Sequence, residues 1–227
     1  MAAPNTVRSG GDHDERTTVT ETEIREQIAA QRGELADLLD ELDARDWAAP
    51  SLCEGWRVRE VLAHMTMPFR LSTPRFVLDM ITARGNFDRM ADRAARRDTS
   101  TRTDAELLAC LRENADHPWK PPGGGFAGAL SHDVIHGLDI TVALGIDRVV
   151  PPERMRHVLD ANSARSVRYF GVDLRGVELR ADDIDWTYGS GAPLTGRAQD
   201  LLLVLCGRRL PPGHLRGAAA WRFTREA

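Results

Sequence analysis

Apolar side chains first recur with helical spacing just after residue 20. Thr20 and Glu23 stand in a capping-box arrangement, and Ile24, Ile28, Leu35, Leu38, Leu39 and Leu42 follow on one side, which predicts a long amphipathic helix ending near Ala44. Pro50, Ser51 and Gly55 then break the periodicity between Trp47 and Trp56, so this stretch reads as an ordered connection anchored by two large rings. Val58, Val61, Leu62 and Met65 mark the buried stripe of a second helix that should stop or kink at Pro68. Phe76, Val77, Met80 and Ile81 predict a third helix opening near Pro74, and the charged run 88–101 is expected to be exposed. A second capping box, Thr103 to Glu106, leads through Leu107, Leu108 and Leu111 into a short helix that ends before Pro118. Pro121, Pro122 and three glycines form a linker or lip. Leu130, Val134, Leu138 and Val142 then predict a helix over 127–144, closed by Gly145. Pro151 and Pro152 open the next helix, which continues through Met155, Val158 and Leu159 to about Tyr169.

After Gly171 the period changes from helical to alternating. Val172 to Leu174, Val177 to Arg180 and Ile184 to Tyr188 read as short strands, with Gly189-Ser190-Gly191 as a turn and Leu194 to Gly196 as a further strand. The apolar run from Ala198 to Cys206 forms a helix ending at Gly207, and Trp221 to Phe223 is a last strand or a packed tail. The fold class is therefore α plus α/β: a helical bundle over 20–170, followed by a small mixed α/β unit over 171–227 that is too small to stand comfortably alone. Residues 1–19 hold almost nothing to bury and read as a disordered leader, which makes His13 inert.

Composition narrows the function classes more than it names one. The net charge is -4 and the pI about 6.0, so there is no overall basic bias toward nucleic acid or anionic lipid. Lys120 is the single lysine among 30 basic residues. That skew, with abundant alanine, resembles GC-rich actinobacterial coding. Cys53, Cys110 and Cys206 are odd in number and widely spaced, which argues against a disulfide framework and for a reducing compartment. No apolar run reaches the length of a membrane span and no apolar signal core is present, so a soluble cytoplasmic protein is expected.

The chemistry concentrates in Ser131-His132-Asp133-Val134-Ile135-His136-Gly137-Leu138-Asp139. On a helix, His132 and His136 lie one turn apart on one side and can offer two ligands to one metal ion. His64, one turn after Val61 on the second helix, supplies a third nitrogen from well upstream. Three neutral imidazoles leave a coordination position for water or substrate, as a reactive site does and a closed structural zinc site does not. The competing reading is a set of hydrogen-bonded or solvated histidines. The spacing alone is weak, since Asp133 stands where a HExxH metalloprotease carries its catalytic glutamate. Asp133 and Asp139 read either as acceptors that orient a ligand ring or as solvated helix acids. His117 reads as a loop residue and His157 as surface or packing.

Three ordered blocks resemble one family. Trp47 to His64, with Pro50-Ser51, Cys53 and Gly55-Trp56, is similar to the N-terminal signature of the mycothiol-dependent maleylpyruvate isomerases, a branch of the DinB-like metal-binding four-helix bundles. The stretch from His132 to Gly145 resembles the second signature of that family. Leu179 to Trp186 and Gly196 to Arg208 resemble its sterol-carrier-like C-terminal domain. The resemblance implies a divalent metal, usually zinc, held by His64, His132 and His136, although in the isomerase itself the position of His132 is a glutamate. It also implies mycothiol as the thiol cosubstrate and an isomerase or S-transferase acting on a small electrophile. Arg208 matches a family arginine near the active site that would hold a substrate carboxylate; otherwise it satisfies carbonyls at a helix end. Cys53 is an internal nucleophile or a packing residue. Metal-assisted hydrolysis and a non-catalytic module binding metal or an apolar ligand are the alternatives. The expected partners are a small substrate and a low-molecular-weight thiol, with no nucleic acid and no membrane, and the chain is expected as a monomer or homodimer.

Overall fold

Thr20 starts the first helix as its side chain predicts. The Thr20 hydroxyl accepts from the Glu23 N–H at 3.3 Å, and the Glu23 carboxylate accepts from the Thr20 N–H at 2.7 Å. The computed structural model describes residues 20–226, and the side chains of all of these but 162–166; the expected leader lies outside the described residues. Helix α1, Glu21–Asp40, ends before the expected boundary because Asp43 caps a new short helix, α2, Ala44–Ala48, whose Arg45 and Asp46 N–H groups it receives. Helix α2 turns Trp47 into the core.

Helix α3, Val58–Arg70, runs through Pro68 instead of stopping there. The proline sits in the last turn, where its missing N–H removes a single helical bond, the one the His64 carbonyl would have received. Helix α4, Thr73–Thr82, follows, with Pro74 in its first turn. The charged run expected to be exposed is instead helix α5, Phe87–Thr101, whose Met90, Ala91, Ala94, Ala95 and Thr99 are buried against α3. Small apolar residues among arginines and aspartates hide this stripe from a reading based on large side chains. Helices α6, Asp104–Glu113, α7, Gly125–Thr141, and α8, Pro152–Phe170, complete the helical part.

Four of these helices close a ring: α1 packs on α7, α7 on α3, α3 on α6 and α6 on α1. Leu35, Leu39, Val61, Leu62, Leu107 and Leu111 fill the centre. Helices α1 and α7 approach closely at Gly137, where a Cβ would lie 3.1 Å from Arg148, 3.2 Å from Gln31 and 3.4 Å from Leu35. Helix α5 lies outside the ring on α3, and α8 outside on α7.

The small α/β unit is built from β1, Val177–Ala181, β2, Thr187–Gly189, β3, Ala192–Gly196, and helix α9, Ala198–Leu205. The sheet order is β2-β1-β3, with Leu179 opposite Tyr188 in the antiparallel pair and opposite Leu194 in the parallel one. Strands β2 and β3 are separated by a turn yet lie on opposite sides of β1, so the chain must slip past the start of β1. It does so at Gly191, where φ is +135° and a Cβ would sit 2.3 Å from the Gly176 carbonyl oxygen. Val172 to Leu174 is not a strand, and the tail is a 3-10 turn, Ala220–Phe223, with Phe223 buried. Every residue of α9 is buried, and its leucines join Val134, Leu138, Val158 and Leu159 in one continuous core. The bundle and the α/β unit therefore share apolar packing.

Candidate metal centre

Two helices of the ring bring the histidines together. Helix α3 buries Val58, Val61, Leu62 and Met65, which turns His64 inward at 7% exposure. The start of α3 is fixed by Glu60, whose carboxylate accepts from the Arg57 N–H and guanidinium and from the Thr99 hydroxyl on α5. Helix α7 buries Leu130, Val134 and Leu138, which leaves His132 and His136 half-buried on the adjoining stripe facing α3. The Nε2 atoms of His64 and His132 are 3.3 Å apart. Ring centroids lie 5.2 Å apart for His64 and His132, 4.8 Å for His64 and His136, and 4.8 Å for His132 and His136.

Carboxylates stand behind both α7 rings. His132 Nδ1 is 2.9 Å from Asp133 Oδ1, and His136 Nδ1 is 3.0 Å from Asp139 Oδ2. Each carboxylate favours the tautomer with the proton on Nδ1, which would leave the Nε2 lone pair for the shared space. Neither acid is solvated, since Asp133 is 1% and Asp139 0% exposed. Arg32 donates to Asp133 at 2.7 Å, and Arg208 donates to both oxygens of Asp139 at 2.8 and 2.9 Å. His64 is held differently: its Nδ1 is buried and has no partner among the described residues.

Burial, and then the neighbouring His136 and His132, push the His64 imidazolium well below its ordinary pKa. Burial also lowers His136, against the opposing effect of Asp139. Both rings are thus neutral at neutral pH, as ligands must be. For Asp139 burial acts upward, but the hydrogen bonds and charge of Arg208, with His136, outweigh it and hold the carboxyl well below the carboxylate range. The Cys53 thiol is driven the other way by burial and by Asp139, far above a free thiol.

The residues fit a divalent ion. One nitrogen from each of the three imidazoles lies within 4.8 Å of the others. Two ligands on a tetrahedral ion at about 2.0–2.1 Å would be separated by about 3.3–3.4 Å, the spacing of the His64 and His132 Nε2 atoms. A second set, Cys53, His136 and Asp139, also clusters, but the Arg208 guanidinium reaches Cys53 Sγ at 3.3 Å. That cation and the thiol-to-carboxylate bond at 3.0 Å make it a hydrogen-bond network.

The connection between the tryptophans docks on α7, with the Leu52 N–H donating to the Asp139 carbonyl at 3.0 Å, and this places Cys53 beside Asp139. Trp56 lies 5.1 Å from His64, and Trp119 lies 5.1 Å from His132. Arg208 lies beside the site and donates to the Cys206 carbonyl at 3.0 Å, as the helix-end reading expects. Its planar fork is occupied by Asp139. His117 sits in a loop with its ring accepting from the Trp119 N–H, and His157 pairs with Gln27. A groove of about 490 Å³ opens elsewhere, at Asp147, Arg197, Asp200 and His214, where Arg197 pairs with Asp147 and His214 with Asp200.

Sequence reasoning missed Arg32 and Trp119. The signal for Arg32 was present, because a charged residue four after Ile28 and three before Leu35 lies on the buried stripe of α1 and must be paired there. Trp119 follows a proline in a loop and carries no comparable signal.

Residues 28–118 match the family model described as the mycothiol maleylpyruvate isomerase N-terminal domain. The matched span contains His64 and ends before the α7 pair. The fold is that of the mycothiol-dependent maleylpyruvate isomerase: a histidine-to-alanine variant of that enzyme superposes with a TM-score of 0.55 at 12% identity, covering 89% of this chain and 94% of that one. A second crystal structure of the isomerase gives a TM-score of 0.50 at 13% identity with the same coverage. No curated protein matches the chain. Among the described residues no helix is long and apolar enough to cross a membrane.

Proposed function

We propose that this protein is a metal-dependent enzyme that uses a low-molecular-weight thiol, mycothiol by resemblance, either to isomerise a small electrophile by adding and leaving again or to displace a leaving group from it in an S-transfer. The observation that carries the reading is the convergence of His64, His132 and His136, two of them oriented by buried carboxylates, in a fold shared with a mycothiol-dependent isomerase. His64, His132 and His136 would hold a divalent ion, zinc by donor type, which would supply Lewis acidity favouring the thiolate form of a bound thiol. The chain's own residues bind and orient. The three imidazoles would hold the ion, and Asp133 and Asp139 orient the His132 and His136 rings. Burial and Asp139 push the Cys53 thiol up, which makes it a poor nucleophile and supports an external thiol as the attacking sulfur. Arg208, with its fork on Asp139, acts first as a positioning residue for His136; a substrate carboxylate would have to share its remaining donor capacity.

A second reading, metal-assisted hydrolysis, is favoured by the all-histidine donor set, which also suits activation of water. Tag-free protein should carry about one equivalent of divalent metal per chain, and His136→Ala should lose it while circular dichroism stays that of the folded bundle. Turnover of cis-configured electrophilic acids should then require added mycothiol. Turnover of esters without any thiol transfers the assignment to hydrolysis, and a purified chain that takes up no metal ends both readings.

A further inference from the structure

Arg32 lies on the buried stripe of α1 and is wholly inaccessible. A buried guanidinium is costly unless compensated, and here Nε and Nη1 are paired while Nη2 has no partner among the described residues. Its Nε donates to Asp133 Oδ2 at 2.7 Å, and its Nη1 donates to three backbone carbonyls beyond α6, Asn114 at 3.2 Å, Ala115 at 3.1 Å and His117 at 2.9 Å. Its plane lies 4.8 Å over Phe69, which itself sits 4.9 Å from the His117 ring. The other oxygen of Asp133 holds His132 Nδ1, and the loop pinned by Nη1 leads directly to Trp119, whose ring meets the His132 ring at 5.1 Å.

We infer that Arg32 is a positioning residue of the metal centre: it fixes the His132 ring from behind through Asp133 and from the side through the loop that carries Trp119. The inference rests on the metal-centre reading above and adds a residue that contacts neither the ion site nor any ring nitrogen. It mirrors the Arg208–Asp139–His136 chain, but originates on α1, so each α7 ligand has its own arginine from a different part of the fold.

A purely structural Arg32 would matter for stability alone, and the test separates the two. Zinc affinity of tag-free protein is measured by competition with a chromophoric chelator, and ligand geometry by the visible absorption of the cobalt(II)-loaded form. Arg32→Lys keeps a cation beside Asp133 but gives up the planar fork that reaches three carbonyls, and Arg32→Met removes the charge; both leave Asp133 in place behind His132. Both variants should bind zinc about 10–100-fold more weakly and shift the cobalt spectrum, whatever the change in the metal-free unfolding midpoint. Folded variants with parental zinc affinity and an unchanged cobalt spectrum overturn the inference; if Arg32→Met does not fold, Arg32→Lys decides. A parent chain that binds no zinc is a different result, and overturns the metal-centre reading itself.

Discussion

Arg208 grips Asp139 at two points, Nε to Oδ1 at 2.8 Å and Nη2 to Oδ2 at 2.9 Å, and so joins the segment after α9 to the helix that carries two of the three histidines. The carboxylate is fully buried and the guanidinium side chain 15% exposed, so the pair is poorly screened. Arg208→Gln leaves Asp139 charged and without its partner, and should lower stability by about 3–5 kcal/mol, read from urea unfolding of the metal-free chain. Unchanged stability would show that Asp139 finds compensation elsewhere.

Glu60 sets an acid-dependent contribution. Burial acts to raise its pKa, but the Arg57 and Thr99 hydrogen bonds outweigh this and lower it. A carboxyl depressed in the folded state gives stability above its unfolded value of about 4.3, lost as pH falls through that value and below it. The stability gap between the parent and Glu60→Gln should therefore be widest near neutrality and narrow below about pH 4.3. Denaturation curves across this range check it; a gap independent of pH would mean that the ionised form is not what the site stabilises.

Cys53 should be a poor nucleophile. Its thiol is pushed up by burial and by Asp139, so alkylation by iodoacetamide at mildly alkaline pH should be much slower in the native chain than in urea. Cys53→Ser retains a donor to Asp139 and should leave thiol-dependent turnover standing. Abolished turnover in a serine variant that keeps its metal would move the attacking sulfur onto the chain.

Leu203 on α9 is fully buried in the core shared with α7 and α8. Leu203→Ala should cost about 2–5 kcal/mol and lower the midpoint of a single unfolding transition common to tryptophan fluorescence and circular dichroism. Two separated transitions, with only the later one sensitive to metal, would mean that the α/β unit melts independently.

The amphipathic pattern placed most of the helices correctly because large apolar residues at helical spacing record which face is buried. It failed at α5, where alanines do the packing, and placed the end of α3 at Pro68, two residues before Arg70, because a proline in the last turn is tolerated. Covalent spacing put His132 and His136 on one side of one helix, whereas the approach of His64 depends on how α3 and α7 pack, and only the fold supplies that. The buried Arg32–Asp133 and Arg208–Asp139 pairs were out of reach for a related reason: each acid reads as a solvated helix residue until its distant partner is found.

Gly137, between a candidate ligand and a core leucine, has neighbours from α1 and from the loop before α8 pressed against the space a side chain would need. The backbone of α7 at that level is packed closely against α1. A change of donor atom at position 132 would therefore be felt less by the helix backbone than by the Asp133 carboxylate and the Trp119 ring that now meet an imidazole there.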